Sequence, residues 1–312
     1  MGINDRNEDR VLVCNPVSGG EDHAHDVVER AREHGFEMRR TEEPGDGKHL
    51  AREVASRFDV VAAAGGDGTV NEVVNGVRAA DALESTTVAV VPVGTGNNFA
   101  TNVGIEGIES GFEAIERGRR RWIDLGIAND RAFVNSCVGG VTAEASAETS
   151  SESKRELGVL AYVKSTFETL RSFDSLPLRV ATAERASDEL EQPWEGRALL
   201  VLVGNCRRFG PHRGGQANVE DGLFEVTIVE DAPSLGLVEE MAREGLFGHD
   251  APHIARRRAQ SLSIESLRSA VGYSLDGEIL ETDRLTLETK ERAVRIVVGD
   301  GYRPNPDANP TD

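Results

Sequence analysis

Short apolar runs alternate with glycine-rich turns and polar, amphipathic stretches through the first third of the chain. Residues 10–14 (RVLVC) are apolar enough for a buried strand, and residues 15–20 (NPVSGG) read as a turn. A polar amphipathic helix is expected over 21–34, a loop over 41–48 and a second helix over 50–57. Residues 59–64 (DVVAAA) form the second predicted strand, which runs straight into Gly65, Gly66, Asp67 and Gly68 before a helix over 69–77. The third strand, 87–91 (TVAVV), ends in the turn 92–98 (PVGTGNN). Strands that alternate with helices predict a parallel sheet. Ligands of such sheets bind at the carboxyl ends of the strands, where all three glycine-bearing turns fall.

The pattern changes near Trp122. Runs 123–128 and 132–137 flank Asn129, Asp130 and Arg131 as a hairpin. Further strands are predicted at 178–182, 198–203, 223–229, 261–264, 285–288 and 294–298, mostly antiparallel. Leu157, Leu160, Ala161, Phe167 and Leu170 fall near helical spacing and interrupt this series with one helix. The chain therefore divides into an α/β domain over 1–123 and a β-rich domain over 124–293. The Pro/Asn/Asp-rich tail, 304–312, is expected to fray.

Composition adds a strong charge bias. The 312 residues carry 54 acids against 35 bases, a formal net charge of −19, and only four of the bases are lysines. Such a surface repels nucleic acid, and the even spread of acids reads as solvation in a salty medium. Two local exceptions, Arg119–Arg121 and Arg256–Arg258, fit ion pairs with neighbouring acids better than lipid head groups. Cys14, Cys137 and Cys206 lack metal spacing and read as small buried hydrophobes. No apolar run approaches a bilayer span and the first ten residues are polar, so a cytoplasmic protein is expected.

The glycine turns carry the chemistry. A strand–glycine turn–helix unit points backbone N–H groups and a helix N-terminus at a ligand, which suits a phosphate. Gly65, Gly66 and Gly68 allow close approach. Asp67 among them would repel phosphate unless it holds Mg²⁺, and Thr69 can cap the helix or donate to a phosphate. Neither the P-loop pattern nor GxGxxG is present, since His49 follows Gly47-Lys48 and Asn71 stands where a third glycine is needed. Late in the chain, Asp276-Gly277-Glu278 places two carboxylates around a glycine. In an extended segment they share a face and could converge on a domain cleft, where one would serve as a general base; the alternative is an ordinary exposed DG hairpin turn.

These motifs together resemble the diacylglycerol kinase catalytic-domain family, which includes bacterial lipid kinases and sphingosine kinases. The resembling segments run in order: NPVSGG at 15–20, GGDGTVN with Glu72 at 65–72, PVGTGNNFA at 92–100, LGVLAY at 157–162, the region of Asn205 and Gly210, NVEDGL at 218–223 and LDGE at 275–278. The resemblance implies a nucleotide domain like that of phosphofructokinases and NAD kinases. It also implies a β-sandwich-like second domain and a C-terminal segment, 294–308, that returns to the first. It implies ATP contacts at Asn15, Ser18, Gly19, Thr41, Gly65, Gly66, Asp67, Gly68, Thr69, Val70, Asn71, Gly94 and Thr95. A structural Mg²⁺ would lie on Asn218, Asp221 and the Leu223 carbonyl, and Asp276 and Glu278 would be the catalytic carboxylates.

The expected reaction is ATP- and Mg²⁺-dependent phosphorylation of a lipid hydroxyl, with peripheral membrane contact during turnover, no nucleic-acid partner and an edge strand available for a homodimer. An NAD kinase, which shares GGDGT, and a silent nucleotide-binding module are the alternatives. The chain departs from the family pattern at Asn98 and Asn218, where carboxylates are usual, and at Pro211-His212-Arg213, which breaks a triple glycine.

Overall fold

The computed structural model describes residues 8–18, 21–93, 97–140, 175–185, 192–209, 215–231 and 253–308. The predicted helix at 157–170 and the turn residues Gly19, Gly94 and Thr95 lie outside them. The chain divides into two compact units, one of residues 1–125 with 291–312 and one of residues 126–290.

The first unit is built on β1 (Arg10–Cys14), β2 (Glu37–Arg40), β3 (Val60–Gly65) and β4 (Thr87–Pro92), parallel and in the order β4-β3-β1-β2. Strands β3 and β4 are buried at every residue, which explains their unbroken apolar runs. Between them the chain forms α1 (Glu21–Glu33), α2 (Asp46–Val54) and α3 (Asp67–Ala79), and after β4 come α4 (Asn98–Asn102) and α5 (Ile108–Arg117). Helix α3 buries Val70, Val73, Val74 and Val77, side chains that each contribute roughly 1.5–3 kcal/mol. Its Gly76 lets α2 approach so closely that a Cβ there would sit 2.4 Å from the Lys48 carbonyl oxygen. Helix α2 starts four residues before the predicted 50–57, and β2, α4 and α5 were not evident from the pattern. Strand β2 is a short, half-exposed edge strand, EMRR, with no apolar run to announce it.

The second unit is mainly antiparallel. Strands β5 (Arg120–Ala128) and β6 (Arg131–Phe133) form the expected hairpin, closed by Asn129 at φ 53°. The predicted run 132–137 is not one strand: β6 ends at Phe133 and β7 (Ser136–Gly140) departs to pair elsewhere. The break occurs because the N–H groups of Val134, Asn135 and Ser136 bind a side chain instead of a ladder partner. Strands β8 (Leu176–Ala183), β9 (Trp194–Gly204), β10 (Phe224–Glu230), β11 (Ile254–Ala259) and β12 (Ser261–Ser266) follow, then β13 (Val271–Leu275), β14 (Glu278–Thr282) and β15 (Arg284–Val297).

Strand β9 is the hub of this unit. It pairs with β10 along one edge, and with β7 and β8 on successive stretches of the other. Inward-facing Phe133, Leu178, Val201, Phe224, Ile264, Tyr273 and Leu287 belong to one core cluster. The predicted strands 285–288 and 294–298 are one strand, β15, bent at Arg292 (φ 48°). Buried Asp124 holds the bend by accepting the Arg292 N–H at 2.8 Å. The residues of β15 past the bend belong to the first unit, where Arg295 and Ile296 pair in parallel with Thr87 and Val88 of β4. The arginine clusters meet acids as expected: Arg119 faces Asp300, Arg120 faces Glu8 and Arg258 faces Asp221. All three cysteines are buried and none is in a disulfide.

Candidate active site

In the first unit the carboxyl ends of β1, β3 and β4 lie side by side, tied across the strands. Asn15 N–H donates to Ala64 O (3.0 Å), Thr41 N–H to Cys14 O (3.0 Å) and Val93 N–H to Gly65 O (3.1 Å). The Asn15 side chain accepts from Val17 N–H (3.1 Å) and its carbonyl accepts from Ser18 N–H (3.2 Å), which closes the first turn on itself.

The second turn starts α3. Its first helical bond is Val70 N–H to Gly66 O, so the N–H groups before Val70 project from the helix end. Gly65 is required by the fold, because a Cβ would lie 2.3 Å from Thr69 Oγ1. Gly68 is not: a Cβ there would meet nothing within 4 Å, although a helical glycine is a cost to stability. Open space beside a costly glycine at a helix N-terminus fits a ligand that approaches the backbone. Thr69, Val70 and Asn71 are buried, and Asn71 Oδ1 accepts from Asn75, so these three side chains anchor α3.

Asp67 works across the sheet. Its carboxylate accepts from Asn98 N–H (3.1 Å), Asn98 Nδ2 (3.0 Å) and Phe99 N–H (2.9 Å), clamping the start of α4. Asn98, the departure from the family pattern, is thereby a donor to Asp67, where an aspartate would set two carboxylates against each other. Glu72 does the same for α2: its oxygens accept from Gly45 N–H (3.0 Å) and Gly47 N–H (2.9 Å). Asp46 accepts from Glu42 and Glu43 N–H, bonds that hold its carboxyl below the ordinary carboxylate value. The loop that carries Thr41 is thus pinned at both ends by acids. Neither role was visible in the sequence, since the partner of Glu72 lies 25 residues away and was expected to be loop.

In the second unit, Asp276 and Gly277 are not extended. They form a two-residue hairpin between β13 and β14 with φ 50° and 104°, a type I′ turn, so the shared-face geometry expected of the carboxylates does not occur. Asp276 turns back to the β6–β7 junction. Its carboxylate accepts from Val134 N–H (2.6 Å), Asn135 N–H (3.0 and 3.1 Å) and Ser136 N–H (2.7 Å). The junction is braced from behind by Asn205, whose Nδ2 donates to Val134 O (2.8 Å) and whose N–H donates to Asn135 O (2.8 Å). Glu278, the first residue of β14, is exposed, as is its neighbour Ile279. Arg131 donates to Ile279 O at 3.3 Å, covering the outer edge of β14 at that point.

The segment 218–223 precedes β10. Asn218 Oδ1 accepts from Glu220 N–H (3.3 Å), and Asp221 Oδ1 accepts from Leu223 N–H (3.0 Å). Asp221 Oδ2 accepts from Arg258 Nη2 of β11. Among the described residues no cluster of three or more His, Cys, Asp or Glu side chains is placed to hold a metal ion. No helix among them is long and apolar enough to cross a membrane.

Comparison with known proteins covers both units. Residues 9–128 match the diacylglycerol kinase catalytic domain, and residues 135–298 match the YegS C-terminal NAD kinase beta sandwich-like domain. A diacylglycerol kinase of Bacillus subtilis is 33% identical over 283 residues, covering 86% of this chain and 88% of that protein. One from Staphylococcus saprophyticus is 32% identical, with the same coverage of both chains. A Pectobacterium atrosepticum protein named as a probable YegS-like lipid kinase is 30% identical, covering 93% and 96%. The crystal structure of a diacylglycerol kinase from Bacillus anthracis superposes with a TM-score of 0.70 at 21% identity over 96% of this chain and all of that one, a likeness of fold.

Proposed function

The chain belongs to the diacylglycerol kinase family of lipid kinases and is a phosphotransferase with an alcohol acceptor, and from that premise we propose that it transfers the γ-phosphoryl group of ATP to a hydroxyl of a membrane glycerolipid such as diacylglycerol. Asn15, Ser18, Thr41 and the Gly65–Thr69 turn would hold the nucleotide, together with Gly19, Gly94 and Thr95. Val70 and Asn71 support the turn from beneath. Mg²⁺ brought with ATP would neutralise phosphate charge, with Asp67 as its protein partner. Asp67 already accepts three N–H bonds. A carboxylate has about four lone-pair positions, so the fit leaves room for one contact, to the ion or to its water.

The observation that carries the reading is the unequal treatment of the two late carboxylates. Asp276 is saturated by backbone N–H groups and shapes the hairpin, whereas Glu278 stands exposed beside it. We assign Glu278 as general base and Asp276 as the residue that positions it. Glu278 takes the proton of the acceptor hydroxyl while the hydroxyl oxygen bonds to the γ-phosphorus. The bond from that phosphorus to the β–γ bridging oxygen breaks, and its electron pair leaves with ADP. Exposed Ile279 offers an apolar contact next to the base, which suits a lipid met peripherally at a membrane surface.

The test uses labelled ATP, Mg²⁺ and vesicles that contain diacylglycerol or a native lipid extract, with identification of the labelled product. Glu278→Gln is expected to lower kcat by roughly 10²- to 10⁴-fold with an unchanged unfolding midpoint. Asp276→Asn sets an amide against backbone donors, so it should lower activity and also stability, by about 1–3 kcal/mol. Labelled NADP from NAD with no labelled lipid, or near-normal turnover by Glu278→Gln, refutes the assignment.

A further inference from the structure

The segment that the family resemblance marks for a structural Mg²⁺ has a donor set that does not suit one. Mg²⁺ requires near-octahedral oxygen ligands and favours carboxylates. Asn218 contributes an amide with no charge, and its Oδ1 already accepts the Glu220 N–H. Asp221 gives one oxygen to the Leu223 N–H and the other to the Arg258 guanidinium. A dication on the marked set of Asn218, Asp221 and the Leu223 carbonyl would face that fixed positive charge with one carboxylate, Asp221, among its ligands.

Arg258 is delivered by the ladder rather than by chance of rotamer. Strands β10 and β11 pair with Glu225 opposite Arg258 and Phe224 opposite Ala259, so Arg258 lies beside the point where the 218–223 loop enters β10. Its cross-strand neighbour Glu225 is engaged separately by Arg208 at 3.4 Å, which leaves the Arg258 fork for Asp221. Asp221 is mostly covered, at 20% side-chain exposure, while Arg258 is 52% exposed, so the guanidinium reaches in from the solvent side as a partly exposed bridge. Gly222, at φ 75°, turns the chain so that Asp221 and the Leu223 N–H close on each other.

We propose that in this chain the Arg258 guanidinium replaces the structural cation, stapling the 218–223 loop to β11, so that no divalent ion is bound there. The loss of the carboxylate at 218 and the presence of arginine at 258 are then two halves of one exchange: a dication between two acids becomes a monocation on one. The divalent-ion requirement of the enzyme falls on the nucleotide alone.

The test follows thermal unfolding of the full chain without nucleotide, at constant ionic strength, with EDTA or with Mg²⁺. The native protein is expected to unfold at the same temperature in both. Arg258→Met should unfold roughly 2–4 °C lower in EDTA and regain part of that loss with Mg²⁺, because the freed carboxylate can take an ion. Asn218→Asp combined with Arg258→Met should regain more. Arg258→Gln repeats the measurement should Arg258→Met not fold. A Mg²⁺ response in the native protein that disappears with Asp221→Asn overturns the proposal. So does an Arg258 variant whose Mg²⁺ response equals that of the native protein. A native response that survives Asp221→Asn arises elsewhere and leaves this loop free of cation, as proposed.

Discussion

Gly65 and Gly68 stand three residues apart and do opposite work. Gly65 is enclosed: Thr69 packs where its Cβ would be, with Oγ1 at 2.3 Å. Gly68 faces open space in the first turn of a helix. The two substitutions should therefore separate fold from ligand. Gly65→Ala is expected to destabilise by about 1–3 kcal/mol through overpacking. Gly68→Ala should leave stability unchanged or raise it by up to about 1 kcal/mol, while KM for ATP rises at least roughly tenfold because the methyl occupies the approach to the N–H groups. Denaturant unfolding and steady-state kinetics on the same preparations decide the matter. A Gly68→Ala enzyme with native KM would remove the main reason for placing phosphate at this turn.

At the scale of elements, the parts of the fold legible in the sequence are those whose cause is local. Strands β1, β3 and β4 are buried runs, and the glycine turns follow them directly. What stayed hidden depends on distant partners. Helix α2 begins early because Glu72 caps it at the N–H groups of Gly45 and Gly47. Run 132–137 breaks because Asp276, more than 130 residues on, takes its backbone donors; β15 reads as two strands because Asp124 bends it at Arg292. Asp276 and Glu278 were legible as a motif, but their division of roles was not, since it rests on that same contact. Glu72 provides a test of how an element carries function. Glu72→Ala removes two capping bonds of α2 and should cost about 1–2 kcal/mol. Because the capped loop carries Thr41, whose N–H is tied to Cys14 O, KM for ATP should rise while the pH profile of kcat stays as it was. A shifted pH profile would instead place Glu72 in the proton transfer.

The whole molecule is governed by its charge. With a net charge of −19 and four lysines among 35 basic residues, acids repel one another over most of the surface, and ion pairs answer only part of that repulsion. Arg10, Arg120, Arg117 and Arg258 each meet an acid, yet most of these pairs are partly exposed, where a bridge is worth at most about 1 kcal/mol. The remaining repulsion acts at long range and is therefore the part that salt removes. Raising ionic strength from 0.1 M to 1 M shortens the Debye length from about 10 Å to about 3 Å, less than the spacing of most surface charges. Short bridges survive this better than long-range repulsion does, so the balance shifts toward the folded state. The unfolding midpoint should accordingly rise steadily with KCl over that range, and the same rise should follow in NaCl, since screening depends on ionic strength and not on ion identity. Thermal unfolding across the two salt series measures it directly. A midpoint that falls with salt would mean that the exposed ion pairs, and not the excess of acids, dominate the electrostatics of the fold.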